Sequence, residues 1–309
     1  MATATLLLPE RARLASAALS PGLARALARA ERQQHSAGEQ AQLRRHFQLD
    51  SQLWPVAALT RQLDAADAGQ QLWLRADPAL VASDGQFGAR LMGYGAALDL
   101  DQQDLEQLLP EVAALFAEHG IELLAPVPSR WYLRLPETLQ LPEFVDPADA
   151  LGADLFDNMP QGPEGRLWRA LMTELQVLLH QHPWNQQRSA SGKAAINSLW
   201  IWGGGRLPQT VNARYSRIRS HDSLLLALAA AAGIADVPGD ERNVAALVDL
   251  RQLRSAEQFD NEVMQPLLAE LARADLQQLT LDFQDGVVFQ LQPKQRWRFW
   301  RGALERLDG

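Results

Sequence analysis

The segment that most constrains the fold is an apolar strand that ends in three consecutive glycines. Residues 196–205 read INSLWIWGGG, and they follow the turn-like run HPWNQQR at 182–188. Tryptophan is bulky and glycine has no side chain, so their combination predicts a backbone that another group approaches closely. The neighbour is either a ligand or another strand, and the sequence leaves both alternatives open.

Strand-like and helix-like patterns alternate along the chain, which predicts the α/β class. The opening ATLLL at 4–8 is typical of a buried strand, and helical spacing follows it. Near the C-terminus, LTLDFQDGVVFQL at 279–291 predicts a hairpin with Asp285 and Gly286 at its turn. Helices are predicted at 21–34, 40–47, 56–66, 105–119, 166–180, 224–232 and 256–274, and further strands at 71–75, 121–125, 130–135, 196–202 and 244–250.

A Pro-rich, acidic stretch, PETLQLPEFVDPADA at 136–150, changes the character of the chain. Proline lacks a backbone donor and interrupts regular structure, so the stretch predicts a surface connection and a domain boundary. The segments between residues 71 and 135 then form a small α+β unit. We therefore predict an α/β core domain of residues 1–70 and 151–309, with residues 71–150 inserted as a cap domain.

Composition and charge argue against several classes of partner and of site. The 309 residues carry a net charge of −8, which opposes binding to nucleic acid because that binding depends on basic surface. The chain has no cysteine, so disulfides, thiolate metal sites and a cysteine nucleophile are excluded. The first apolar run is only three leucines and no run approaches about 18 apolar residues, so we expect a cytoplasmic protein without a membrane partner.

The three glycines suggest two different roles. Gly203, Gly204 and Gly205 follow a predicted strand, where backbone amides can bind an anion. They are adjacent rather than spaced, and Pro208 follows instead of a helix, so neither the Walker nor the dinucleotide pattern is present. A tight turn after a buried strand explains the same glycines. The sequence favours the turn and keeps the anion site as an alternative.

Polar residues around the same segment favour structural roles. His180 and His182 suggest a metal site, but a separation of two residues puts them on different sides of a helix. A proline follows His182 directly, which favours capping and turn chemistry for it. Asn185 and Asn197 are expected to bond loop backbone, and either Asp222 or Ser223 is expected to cap a helix.

The C-terminal PKQRWRFWRG at 293–302 interleaves arginines with aromatic residues. Such a pattern is typical of a stacking platform for bases or of a docking surface for an anionic partner. An amphipathic closing helix explains it as well, with Trp297, Trp300 and Leu304 on the buried face and the arginines in solvent. We favour the closing helix.

In combination, several motifs resemble those of known families. HPWNQQR, a short glycine-containing link and INSLWIWGGGRLP resemble a segment of the archaeal-type cofactor-independent phosphoglycerate mutases. WLRADPALVASDG at 73–85 and IELLAPVPSRWYLRL at 121–135 resemble parts of that family's inserted cap. LLLPERARL, WLRADP, RWYLRL, HPWNQQR, NSLWIWGGG and RWRFWR together resemble the bacterial RpfE-type regulatory proteins, distant relatives of the mutases. The resemblance implies the alkaline-phosphatase fold, an α/β core interrupted by a small α+β cap.

The same resemblance implies which catalytic residues to seek. Active mutases of this kind use two divalent metals held by Asp and His, together with a serine nucleophile. Where the first metal ligand is expected, after the first strand, this chain has Leu8, Pro9 and Glu10. Only Ser51 lies near the expected nucleophile, and VDLRQLRSAEQFDNEV at 248–263 contains no histidine. The resemblance therefore predicts that metal-dependent phosphoryl transfer has been lost.

The resemblance also implies that the chain retains a cleft suited to a small phosphorylated or carboxylated ligand. Arginine makes bidentate contacts with such groups, and ordinary ion pairing is the alternative role for its side chain. The predicted ligand-binding residues are Arg75, Arg130, Asn185, Arg188, Asn197, Gly203, Gly204 and Gly205.

Three functional hypotheses stay open. The favoured one is a catalytically degenerate mutase-like protein that acts as a regulatory or ligand-binding protein, with no catalytic residues, metal or other cofactor. The second is an active mutase or phosphohydrolase with Mn or Mg at a rearranged site built from Asp249, Asp260 and His221. The third is a protein-interaction scaffold whose partner docks on the Trp-rich C-terminus.

Overall fold

A computed structural model describes residues 2–15, 18–51, 54–83, 85, 88–234, 245–298, 300–304 and 306–307. The chain divides into two compact units. Unit 1 comprises Met1–Leu49 and Thr210–Gly309, and unit 2 comprises Asp50–Gln209. Unit 2 therefore interrupts unit 1 in the sequence.

Both units combine strands and helices, which confirms the predicted α/β class. In chain order the strands are β1 (Thr3–Leu8), β2 (Glu31–Gln34), β3 (Phe47–Leu49), β4 (Leu72–Ser83), β5 (Ala89–Tyr94), β6 (Glu122–Val127), β7 (Arg130–Leu135), β8 (Ser198–Gly205), β9 (Val211–Ala213), β10 (Arg217–Arg219), β11 (Ala245–Asp249), β12 (Gln278–Phe283) and β13 (Val287–Leu291). The helices are α1 (Pro21–Arg29), α2 (Glu39–Arg44), α3 (Val56–Ala65), α4 (Gln102–Ala117), α5 (Pro147–Ala150), α6 (Gly165–Gln181), α7 (Pro183–Ala190), α8 (Ser223–Ala231), α9 (Ala256–Gln258) and α10 (Gln265–Arg273), with a π-helical segment at Phe259–Met264.

Among the described residues of unit 1, six strands form a sheet in the order β10-β11-β1-β12-β13-β2. The first four of these strands run parallel, and β13 and β2 extend the sheet in antiparallel fashion. The leucines of β1 are buried, because strands in parallel sheets are covered on both faces and require continuous apolar runs. Apolar side chains of α1 and α10 pack on the same core.

The hairpin predicted at 279–291 is confirmed by β12 and β13. At its turn Gly286 has a φ of 84°, and a Cβ there would lie 2.2 Å from the His35 carbonyl oxygen, so only glycine fits. The opening strand and helix are also confirmed, as β1 and α1. However, α1 ends at Arg29, whereas the sequence predicted a helix across β2 as well. Pairing with β13 makes β2 a strand despite its helix-compatible composition.

Unit 2 is built around β4, which pairs with β7 through residues 72–75, with β8 through 73–79 and with β5 through 79–83. β6 continues the sheet beyond β7. Helix α3 packs against β4 and β8, and α4 and α6 pack against β6 and β8 respectively. β4 continues through Asp77 and Pro78, although the sequence predicted that this pair would end it.

Unit 2 is larger than the predicted cap of residues 71–150. β8 pairs antiparallel with β4 from Trp73 to Ala79, so residues 151–209 belong to unit 2 rather than to the core. The Pro-rich stretch at 136–150 is a connection within the unit, because composition marks a loop without showing where the chain goes next. Residues 50–70, which were also predicted to lie in the core, fall in unit 2 as well. The division into a core domain and an inserted cap domain stays a prediction.

The predicted amphipathic closing helix at the C-terminus is wrong. Pro293–Trp297 forms a short 3-10 helix, and the side chains of Trp297 and Trp300 are 66% and 70% exposed. Only Leu304 of the predicted apolar face packs on the core, and it is partly buried. Residue 299 of this segment lies outside the described residues.

Arginines, rather than tryptophans, attach the C-terminal segment to the protein. Arg298 Nη1 donates to the Arg29 carbonyl at 3.1 Å, and Arg301 Nη1 donates to the Ala30 carbonyl at 2.9 Å. These carbonyls lie at the end of α1, where a helix leaves backbone acceptors unpaired. Because these acceptors need donors, the two arginines face the protein and the tryptophans face solvent, which is the reverse of the prediction.

Candidate functional site

At the carboxyl end of the parallel strands of unit 1, two aspartates flank β1. Asp249 ends β11 and Asp282 lies near the end of β12, and both are in register with Leu7. Residues in one register row lie on the same face, so the two aspartates stand two strand spacings apart, about 10 Å. Because open α/β sheets bind ligands at this edge, the two carboxylates define the first candidate site.

The carboxylate of Asp282 is buried and fully engaged. Arg45 donates to both of its oxygens, at 2.9 Å and 2.6 Å, and His46 Nε2 lies 2.8 Å from Oδ2. On the other side of the ring, His46 Nδ1 lies 2.6 Å from the Tyr215 hydroxyl. Burial opposes ionisation, but the bonds from Arg45 and His46 outweigh it and hold the pKa of Asp282 below its ordinary value.

The carboxylate of Asp249 is engaged in the same way. Arg251 donates to both oxygens, each at 2.8 Å, and the Ser220 hydroxyl donates to Oδ2 at 2.8 Å. Burial again opposes ionisation, but the Arg251 bonds hold the pKa of Asp249 below its ordinary value. Arg251 also bonds Glu39 and lies 3.4 Å from Asp222, and its acidic neighbours raise its pKa despite its burial. Each carboxylate at this edge therefore has a guanidinium as its counter-charge.

The structure does not bring together the residues of the rearranged metal site. Asp260 accepts from the Ser20 backbone and hydroxyl, at 2.7 Å and 2.8 Å, whereas Asp249 is held by Arg251. Throughout the described ranges, no three His, Asp or Glu side chains, His221 included, form a group that could hold a metal ion.

In unit 2, Arg75 is buried between the sheet and α3. It donates to both oxygens of Asp77, each at 2.9 Å, and to the Thr60 hydroxyl at 3.2 Å. The indole of Trp202 donates to Asp77 at 2.8 Å, and the guanidinium lies 5.4 Å from the Trp202 ring centroid. Burial raises the pKa of Asp77, and the contacts from Arg75 and Trp202 oppose that rise.

Arg130 holds a second aspartate close by. It donates to both oxygens of Asp64, at 2.8 Å and 2.7 Å, and the Tyr132 hydroxyl donates to the same carboxylate at 2.5 Å. The Tyr132 ring lies 5.5 Å from the Arg75 guanidinium, so one tyrosine contacts both ion pairs. The structure thus brings the two predicted arginines into one network, in which each is already paired with a carboxylate.

Arg188 forms a separate buried pair. It bonds Asp104, and it donates to the carbonyls of Ala194 and Leu98 at 2.9 Å and 2.7 Å. Asp104 lies in the first turn of α4, so the pair connects α7 to the start of α4. The Trp184 indole donates to the same carboxylate at 2.7 Å.

The structural roles predicted for the neighbouring polar residues are confirmed. His182 caps α7 by accepting from the Trp184 backbone through Nδ1 at 3.1 Å. Asn185 bonds the backbone of Ile196 in both directions, at 2.8 Å each, and Asn197 does the same with Val81, at 2.8 Å and 2.7 Å. The cap predicted at Asp222 is also present, on α8.

The three glycines lie inside β8, and their close neighbours are protein atoms. A Cβ at Gly203 would lie 2.9 Å from Val56 Cβ, and one at Gly205 would lie 2.6 Å from Pro55 Cβ. A Cβ at Gly204 would lie 2.8 Å from a methyl group of Leu74. Gly203 and Gly205 therefore allow the start of α3 to approach the sheet. Ligand binding by these glycines, by the two asparagines and by the three arginines stays a prediction.

The sequence reasoning missed the aspartates that pair with the arginines. Arg75 and Asp77 are two residues apart in one strand, which places both on the same face, and this spacing is the signal that identifies the pair. Asp64 and Arg130 are 66 residues apart, so only the tertiary fold brings them together.

Sequence comparison shows distant homology to the 2,3-bisphosphoglycerate-independent phosphoglycerate mutases. The chain is 33% identical to the enzyme of Methanosarcina acetivorans over 104 residues, which are 31% of this chain and 26% of that protein. It is 34% identical to a probable enzyme of this kind from Geobacter sulfurreducens over 65 residues, 21% of this chain and 16% of that protein. The matches thus span about a quarter or less of each relative. No family model matches the chain.

Two solved structures are similar over most of the chain. One is a cofactor-independent phosphoglycerate mutase from Thermoplasma acidophilum, with a TM-score of 0.42, 15% identity, and coverage of 94% of this chain and 89% of that one. The other is a protein from Pyrococcus horikoshii, with a TM-score of 0.45, 10% identity, and coverage of 94% and 87%.

In the described part of the chain, no helix is both long and apolar enough to cross a membrane.

Proposed function

We propose that this chain is a catalytically degenerate relative of phosphoglycerate mutase that acts as a cytoplasmic regulatory or anion-binding protein. The observation that carries the proposal is the pairing of Asp249 with Arg251 and of Asp282 with Arg45 at the carboxyl edge of the unit 1 sheet. The finer assignment to the RpfE-type regulatory proteins belongs to the same proposal and rests on the motifs quoted above.

The arginine pairs oppose metal chemistry for a physical reason. A divalent cation at this edge would need the carboxylate oxygens as ligands, and a bidentate guanidinium already occupies both oxygens of each aspartate. The guanidinium is also a fixed positive charge that repels a cation at short range. Two-metal phosphoryl transfer requires both cations, so the side chains at this edge do not fit it. The second hypothesis, with Mn or Mg, would require both ion pairs to open.

An enolase-coupled phosphoglycerate mutase assay with added manganese tests the proposal. We expect no turnover above a blank without protein, while the Methanosarcina acetivorans enzyme, run in parallel, serves as the positive control. Turnover that disappears with a chelator would contradict the proposal and would indicate that the arginine pairs open in solution.

The proposed anionic ligand would be a small phosphorylated or carboxylated molecule bound by the predicted residues in unit 2. At Arg75 such a ligand would have to displace Asp77, and at Arg130 it would have to displace Asp64. Calorimetric titration of 3-phosphoglycerate into wild type and Arg130→Gln tests this exchange. Binding that is lost in the variant supports it, and equal binding by both proteins places the ligand elsewhere.

A protein-interaction scaffold is a second candidate function, favoured by the exposure of Trp297 and Trp300. Arg296 lies 5.0 Å from the Trp297 ring centroid, and tryptophan and arginine dominate interface hot spots. A pull-down with wild type and with a Trp297→Ser/Trp300→Ser variant tests this role. A partner that both proteins retain equally would contradict docking at the C-terminus.

A further inference from the structure

A groove in unit 1 carries an excess of positive charge along its described lining. It lies between α1, α10 and the segment after β13, and its volume is about 580 Å³. Arg25, Arg29 and Arg296 line it, and no Asp or Glu is among its described lining residues. The chain as a whole has 37 acidic residues against 29 basic ones, so this local excess runs against the composition.

Arg29 is the member of this set that has a hydrogen-bond donor without an acceptor among the described residues. Its Nε is buried and has no hydrogen-bond partner among the described residues, which is unfavourable for a charged donor. An arginine in the last turn of a helix usually bonds the terminal carbonyls. Here Arg298 and Arg301 already bond the carbonyls of Arg29 and Ala30. The helix end therefore does not account for the Arg29 side chain.

The rest of the groove is largely apolar. Ala26 of α1 and Leu268, Ala269 and Ala272 of α10 line it, together with Leu291 at the end of β13. Ligand sites typically combine such a lining with a few polar groups that fix orientation, in volumes of roughly 300–1,000 Å³. The groove matches that description. A ligand could bind there without breaking an ion pair among the described lining residues.

We propose that this groove binds an amphiphilic anion, a carboxylate, phosphate or sulfonate headgroup attached to an apolar body. The headgroup accepts hydrogen bonds from the Arg29 guanidinium, Arg25 and Arg296 add charge at the rim, and Leu268 and its alanine neighbours contact the body. The groove is a different site from the one proposed in unit 2, and the proposal is independent of the loss of catalysis.

The probe for the test is 1-anilinonaphthalene-8-sulfonate, a sulfonate on an aromatic body, titrated into the full chain and followed by its fluorescence. We expect one saturable site per chain from which decanoate displaces the probe, with inorganic phosphate at least about tenfold weaker because it lacks the apolar body. Arg29→Gln and Ala269→Trp should each weaken binding about tenfold, the first by removing the donor and the second by filling the groove. Arg166→Gln, an exposed arginine of unit 2, is the matched control.

Near-UV circular dichroism on every variant guards against probe binding to partly unfolded protein. Absence of saturable binding, equal binding by all variants, or displacement by phosphate as effective as that by decanoate would each overturn the proposal. Mutase turnover together with intact groove binding would overturn only the loss of catalysis. No turnover together with no groove binding would overturn only the proposal that the groove binds an amphiphilic anion.

Discussion

Two groups of arginines in this chain differ in what surrounds them. In unit 2, Arg75 and Arg130 each bond both oxygens of an aspartate inside the fold. In the groove of unit 1, Arg25, Arg29 and Arg296 line an apolar floor without an acidic residue among the described lining. A guanidinium matched by a buried carboxylate stabilises one arrangement of the chain, whereas an unmatched one is available to a ligand. Residue type alone does not separate the two roles.

The largest expected effect is the loss of stability when an arginine that is paired with a buried carboxylate is removed. Arg75→Met leaves the buried carboxylate of Asp77 without its counter-charge, which should lower the free energy of unfolding by about 3–5 kcal/mol. Arg29→Met removes no ion pair among the described residues and should change it by less than about 0.5 kcal/mol. Urea unfolding followed by far-UV circular dichroism measures both values.

The double variant Arg75→Met/Asp77→Leu is the control for this first prediction. Removing both charges leaves no buried charge unpaired, and only the Trp202 indole loses its acceptor, so most of the lost stability should return. If Arg75→Met lowers the free energy of unfolding no more than Arg29→Met does, the distinction between paired and unpaired arginines is wrong.

An intermediate effect is expected at the tyrosine that contacts both pairs. Tyr132→Phe removes the hydroxyl bond to Asp64 and should cost about 1–2 kcal/mol. The ordinary urea midpoint at neutral pH measures this loss. An unchanged midpoint would mean that Arg130 alone holds the carboxylate.

The same variant should also change the response to acid. Burial opposes ionisation of Asp64, but the bonds from Arg130 and Tyr132 hold its pKa below the ordinary value. The stability it contributes is therefore complete above a pH of about 3.9 and is lost as pH falls through the lowered value. Without the Tyr132 hydroxyl the pKa of Asp64 should lie closer to its ordinary value, so the acid-induced loss of stability should be smaller and should be complete at a higher pH, as measured by unfolding midpoints across the acid range. Identical acid profiles for wild type and variant would contradict this mechanism.

The smallest effect is expected at an exposed pair. Lys193 Nζ donates to Asp101 at 2.8 Å, and this bond, with backbone bonds at the start of α4, lowers the pKa of Asp101 to about 2. Lys193→Ala should raise that pKa towards the ordinary value, as followed by NMR titration of the side-chain carboxyl. Lys294→Ala, at the only other lysine in the chain, should leave it unchanged. A shift in both variants would indicate a general charge effect instead of a specific bond.

Local signals in the sequence identify local structure well. Alternation, helical spacing and the Asp285-Gly286 turn suffice for β1, α3, α4 and the terminal hairpin, because neighbouring residues determine each of these elements. The caps at His182 and Asp222 are predictable for the same reason. Distant homology to the mutases adds the expectation that metal ligands are missing.

Interactions between distant segments account for what the sequence did not predict. The extent of unit 2 depends on pairing between β4 and β8, and the Trp202 indole bonds an aspartate 125 residues away. The orientation of the C-terminal segment depends on Arg298 and Arg301, whose acceptors at the end of α1 are about 270 residues earlier. The counter-charges of Asp249 and Asp282 become visible only once the strands are in register.

The order of strands in the unit 1 sheet has a consequence during synthesis of the chain. β1 precedes unit 2 in the sequence, but its two sheet neighbours, β11 and β12, both follow unit 2. Unit 2 is continuous in sequence, so all of its strands are synthesised before either neighbour of β1. We therefore expect unit 2 to fold first, while the apolar β1 stays unpaired and depends on protection from aggregation until β11 and β12 have been synthesised.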